Sequence, residues 1–276
     1  MATKKAVTTT KSSASKTAVS TTRTTAKSAP VAATKNTFAG YVQDSVRSIT
    51  LWRALIAEFI GTFLLASIII ASRGEPIYVL FGLAGIVLLV GALSGAHVNP
   101  AVTVGAWVTR RIGWLRALTY ILFQGLGAAV AYFAFTAFLA GTGVSSSDAA
   151  ALGGPTVFAA VDISTLAGKE WFIFFAELLG TAILGFAIAN TLRERQDRVA
   201  AAFTAGLGIF AALIVAVSAA SYVGANAIIN PAIAIGLQAY HWDSIWTFAV
   251  YGLAPIIGGV VGFVVYDLLY GRKAGN

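Results

Sequence analysis

SGAHVNPAVTVG, from Ser94 to Gly105, and NPAIAIG, from Asn230 to Gly236, are the two stretches on which the fold turns. In each, Pro follows Asn directly and opens an apolar run, Pro100 to Val108 in the first and Pro231 to Tyr240 in the second. These runs are only about half the roughly 20 residues that a bilayer crossing requires. Asn is a favoured N-cap and Pro is at home in the first helical position, so both predict short helices that begin at Asn99 and Asn230. Such a helix enters a membrane without crossing it. It is tolerated there only where it is buried in protein or lines a water-filled cavity.

The sequence around these two segments is that of a membrane protein. Of 276 residues, 58% are hydrophobic and 11% charged, against about 25% charged in soluble domains. Six apolar stretches are long enough to span: Trp52 to Ser72, Ile77 to Leu93, Trp114 to Leu139, Trp171 to Leu192, Val199 to Ala220 and Ile245 to Tyr270. The 28 glycines follow no three-residue period and sit inside these runs, where membrane helices use them for close packing. With no cysteine and two isolated histidines, the chain has no disulfide framework, and His97 and His241 make a poor metal cluster.

An internal repeat organises the spans. AEFIGTF at Ala57 returns as AELLGTA at Ala176, an offset of 119, and NPAVTVG returns as NPAIAIG at an offset of 131. Gln124 and Gly127 match Pro255 and Gly258 at that second offset. Each half therefore reads as span, span, half-helix, span. Three crossings per half is an odd number, so the second copy is inserted upside down relative to the first, and the half-helices approach the midplane from opposite faces. The expected fold is an all-α membrane protein with six transmembrane helices and two re-entrant half-helices. Its expected divisions are a tail over 1–48, half repeats over 49–139 and 171–272, a connecting loop over 140–170 and a short end over 273–276.

Net charge is +8, but eight of the 19 Lys and Arg and one acid lie before Ile49, so this tail carries +7 and the rest +1. Basicity confined to a tail is not a nucleic-acid signature of the body. From Met1 to about Asn36 the tail is Thr, Ser, Ala and Lys with neither aromatic residue nor acid, which reads as disordered; its composition overlaps with transit peptides. Alternate loops place 17 of the 19 Lys and Arg on the tail's side and only Arg73 and Lys169 on the other, which predicts both termini cytoplasmic.

The chemistry is sparse. Asn99 and Asn230 are expected to face each other across a pore with their amide N–H groups free to donate. Two helix N-termini meeting there add partial positive charge, repel cations and orient a passing water with its oxygen toward the asparagines. Glu58 and Glu177 are acids placed equivalently in the first span of each half. As a symmetric pair they read as acceptors for backbone N–H groups in the turn before each half-helix, with a proton relay as the alternative. His97 reads as a turn-stabilising donor or as a pH-sensing gate.

These motifs resemble the major intrinsic proteins, the aquaporins and aquaglyceroporins, from about Leu51 to Gly271. The resemblance implies a homotetramer with one pore per subunit and no cofactor, conducting water and small neutral solutes passively, its pore marked by Asn99, Pro100, Ala101, Asn230, Pro231 and Ala232. It also implies a selectivity filter, and there the chain departs from its family: the Arg that follows the second Asn-Pro-Ala is here Ile233. The remaining filter positions fall on Ala227, on Ser218 or Ala216 in the fifth span, and on Val79 or Phe81 in the second. All are apolar or small, so the barrier to cations should fall and selection should depend on size and apolarity. Competing readings are a non-conducting junction protein on the same fold and a coupled secondary transporter, which would need ion or substrate ligands at the midplane. No nucleophile, base and orienter are grouped as an enzyme requires.

Overall fold

The computed structural model describes residues 38–143, 156–193 and 197–271. The expectations for the tail before Phe38, for 144–155 of the connecting loop and for the end after Gly271 lie outside the described residues. Helix α1 (Phe38–Arg47) precedes six helices long and apolar enough to span: α2 (Ile49–Ser72), α3 (Pro76–Ser94), α5 (Trp114–Ala140), α6 (Glu170–Arg193), α7 (Arg198–Ser221) and α9 (Ile245–Tyr270). The half-helices are α4 (Pro100–Val108) and α8 (Pro231–Gly236). The described residues contain no strand.

Local chemistry sets these boundaries. Ser48 caps α2 by accepting the Leu51 N–H at 3.4 Å, and Asp197 caps α7 by accepting those of Val199 and Ala200 at 2.9 Å. Asn99 and Asn230 accept the N–H groups of Ala101 and Ala232 at 2.8 and 3.0 Å, leaving Pro at the position that needs no donor. Apolar side chains such as Leu89, Phe133, Phe138 and Leu268 are two-thirds or more exposed, a surface suited to lipid rather than water.

The spans pack through paired glycines. A Cβ on Gly127 would strike the Phe59 carbonyl of α2, and one on Gly258 would strike the Leu178 carbonyl of α6. Both the glycines and the carbonyls are repeat mates, so each half closes its third span on its first through the same backbone contact.

Two boundaries and the interior of one span differ from the sequence expectation. The tail was expected to run to Ser48, but α1 forms within it, because Phe38, Tyr41, Val42 and Val46 recur at helical spacing. Phe38 stacks on Trp114 with centroids 5.7 Å apart, and the Trp52 indole donates to the Val46 carbonyl at 2.8 Å. Helix α8 ends at Gly236 rather than Tyr240. There Gln238 turns into the left-handed region at φ 55° and the Ala239 N–H closes on the Ala234 carbonyl at 2.9 Å, a Schellman stop. The sixth span widens into a π turn over Ala249–Leu253, where the Tyr240 hydroxyl donates to the Tyr251 carbonyl at 3.0 Å.

Candidate functional site: the meeting of the half-helices

The two half-helices meet N-terminus to N-terminus. The Asn99 amide donates to the Ile229 carbonyl at 2.9 Å and the Asn230 amide to the Val98 carbonyl at 2.9 Å. Each asparagine thus grips the residue that precedes the other. The amides are not wholly free, as the motif alone suggested: one proton of each NH₂ is taken by this cross-tie and one is left.

The carbonyls face this way because Val98 and Ile229 sit at φ 42° and 50°. For β-branched residues this is a strained region, maintained only where the surroundings over-determine it. Glu58 and Glu177 supply that constraint. Glu58 accepts the N–H groups of His97 and Val98 at 2.9 and 2.8 Å, and Glu177 those of Ile228 and Ile229 at 2.5 and 2.7 Å. Both carboxylates are fully buried, so in each half they serve donors that lipid could not. Gln124 adds a third donor to Glu58 at 2.7 Å and also donates to the Thr103 hydroxyl at 2.9 Å. The His97 ring lies 3.2 Å from that same hydroxyl and edge-on to Tyr120.

A cavity lies on either side of this junction. The first, about 70 Å³, brings together Val79, Ala227 and Ile233 with Ile69, Leu213, Val217, Phe158 and Arg73. The second, about 290 Å³, is lined by Val87, Gly91, Gly95, Thr191, Leu192, Ala201 and Arg198, whose guanidinium donates to the Leu88 carbonyl at 2.6 Å. The smaller cavity is walled by a pinned loop. Ala160 N–H donates to the Leu237 carbonyl at 2.9 Å and Val161 N–H to the Asn226 side chain at 2.7 Å. Farther along the loop, hydrogen bonds from Ser164 hold the Asp162 carboxyl below the usual carboxylate range.

Three filter candidates are placed elsewhere. Phe81 is 60% exposed on the outer surface of α3, because two helical residues from Val79 is a rotation of roughly 200°. Ser218 is exposed, and Ala216 packs where a Cβ on Gly180 would fall. The α7 residues that do line the cavity are Leu213 and Val217. Their four-residue step on one helical face was a usable signal. Phe158 and Arg73 come from a loop and a helix end, and no periodicity marks them.

A family model described as Major intrinsic protein matches residues 45–266. The chain belongs to that family. It is 32% identical to Aquaporin-1 of Homo sapiens over 247 residues, covering 82% of this chain and 84% of that one. It is 34% identical to the Glycerol uptake facilitator protein-like 6 of Lactiplantibacillus plantarum over 223 residues, covering 76% and 94%. Among solved structures, the aquaglyceroporin of Plasmodium falciparum shares the fold, with a TM-score of 0.54 at 22% identity over 81% of this chain and 96% of that one. This major intrinsic protein is an integral, multi-pass membrane channel for water or small solutes, and not an enzyme.

Proposed function

We propose that water and small neutral solutes pass by diffusion through one pore per subunit, from the Ile233 cavity past Asn99 and Asn230 to the Arg198 cavity. The observation that carries this reading is the reciprocal tie at the junction. It leaves one amide proton on each asparagine where two helix N-termini converge, so a water accepts from both amides and points its hydrogens away. That orientation interrupts a chain of donors at the centre.

The filter is the Ile233 cavity. Its wall is mainly apolar, Ile69, Val79, Leu213, Val217, Ala227 and Ile233, with Arg73 and Asn226 as its polar groups, which favours solutes carrying both hydroxyl and alkyl groups over ions. Lys and Arg counts support a reading with this cavity on the outer face and both termini in the cytoplasm, in a protein of the cell membrane. A homotetramer follows from the family plan, and no cofactor takes part.

Stopped-flow light scattering of protein-loaded liposomes tests this. Native protein is expected to shrink faster than bare lipid in an impermeant osmolyte and to reswell in glycerol, and Ile233→Arg is expected to abolish the reswelling. A native protein at the bare-lipid rate, with water flux appearing only in Ile233→Arg, would move the assignment to a non-conducting junction protein with a dewetted filter.

A further inference from the structure

Ile233 leaves the narrow cavity without a charge from α8, yet one guanidinium reaches the same cavity from another element. Arg73 is the C-cap of α2, held at φ 54° with its N–H on the Ile70 carbonyl at 3.4 Å. It lines the cavity together with Val79, Ala227 and Ile233. Its guanidinium carbon stands 5.4 Å from the ring centroid of Phe158, which lines the cavity too, a distance at which a cation is drawn to an aromatic face. Phe158 belongs to the loop pinned through Ala160 and Val161, so the ring is a fixed platform. Among the described residues Arg73 forms no ion pair, and Glu75, two residues on, lies outside ion-pair distance. Among the described residues no other ionisable side chain lines this cavity.

We propose that Arg73 is the residue that excludes cations at this mouth of the pore, supplying from the end of α2 the positive charge that Ile233 does not supply from α8. This inference rests on the channel reading above. An unpaired charge at the rim of a low-dielectric cavity raises the energy of an approaching cation and leaves a neutral solute untouched. Because Arg73 is exposed, salt screens its effect: the screening length is about 30 Å at 0.01 M and about 3 Å at 1 M. The residue therefore sets the ratio of ion to water permeability.

The test uses the full chain in liposomes, with sodium as probe ion and water flux measured on the same vesicles. In 10 mM salt, Arg73→Gln is expected to raise the sodium-to-water permeability ratio by about fivefold. Arg73→Lys keeps the native ratio, and Arg73→Gln combined with Ile233→Arg returns toward it. The native protein supplies a second arm: its own ratio rises as salt increases from 10 mM to 0.5 M, and that rise is lost in Arg73→Gln. An unchanged ratio in Arg73→Gln, or a native ratio indifferent to salt, overturns the inference and leaves the channel standing. Native water flux at the bare-lipid rate overturns the channel reading and this inference with it.

Discussion

The two half-helix sites are built alike at the centre and unlike away from it. Around Asn99 and Asn230 the halves match bond for bond: one carboxylate with two backbone donors, one strained β-branched residue, one asparagine reaching across. Away from the centre they diverge. Glu58 has the extra donor Gln124, whose repeat mate is Pro255, and Tyr120 donates to the Ser94 carbonyl at 3.0 Å while its mate Tyr251 has a buried hydroxyl without a partner among the described residues. Helix α4 runs nine residues, and the turn beyond it is tied to α9 by Arg111 and Asp267 at 2.7 Å; α8 runs six. The symmetric part is what a polar path through lipid needs from both sides. The asymmetric part sets a layer of side-chain hydrogen bonds, Gln124, Thr103 and His97, behind α4 that α8 lacks among the described residues.

The comparison breaks most visibly at the carboxylates. Glu177→Ala strands two buried backbone donors and is expected to cost about 3 kcal/mol or more, and Glu58→Ala strands a third and costs more again. Thermal unfolding in detergent reads both, and equal losses would mean that Gln124 contributes nothing. Next come the paired glycines. Gly127→Ala and Gly258→Ala each drive a methyl into a backbone carbonyl and should cost about 1–3 kcal/mol in the same assay. Gly85→Ala, with nothing within 4 Å, should be neutral or slightly stabilising.

Smaller effects sharpen the difference between the halves. Gln124→Met takes a donor from Glu58 and from Thr103 but also removes a buried amide oxygen that has no partner among the described residues, so the loss should stay near 1 kcal/mol. The smallest belongs to the Asp162 turn. A carboxyl whose folded pKa is depressed contributes stability above the usual carboxylate range and loses it as the pH falls through the folded value. Acidification below about pH 4 should therefore increase hydrogen exchange at Ser164, while Asp162→Asn removes that dependence.

Much of this arrangement is legible in the residues because duplication carries it. A single Asn-Pro is a turn signal, whereas two at matched places, with Glu58 and Glu177 and with Gly127 and Gly258 in register, specify where two inverted halves must touch. The stop of α8 was hidden, since Gln238 in a left-handed turn has no signature comparable to Gly. Helix α1 was obscured by the charge of the tail around it. The lining of the Ile233 cavity was legible in depth but not in rotation. Counting back from Asn230 reached Ser218 or Ala216, which flank Val217 on either side, and counting on α3 left Val79 and Phe81 on opposite faces. A helix face is fixed by its neighbours, and Phe158 and Arg73 enter the cavity only through tertiary folding.

The absence of native cysteine allows the position of the filter to be tested one residue at a time. Single substitutions Ile233→Cys, Val217→Cys and Phe81→Cys would be reconstituted and water flux measured before and after a small thiol-reactive mercurial. Block of Ile233→Cys and Val217→Cys, with Phe81→Cys unaffected, is the predicted result. Block of Phe81→Cys with the other two insensitive would contradict a conducting path through the Ile233 cavity.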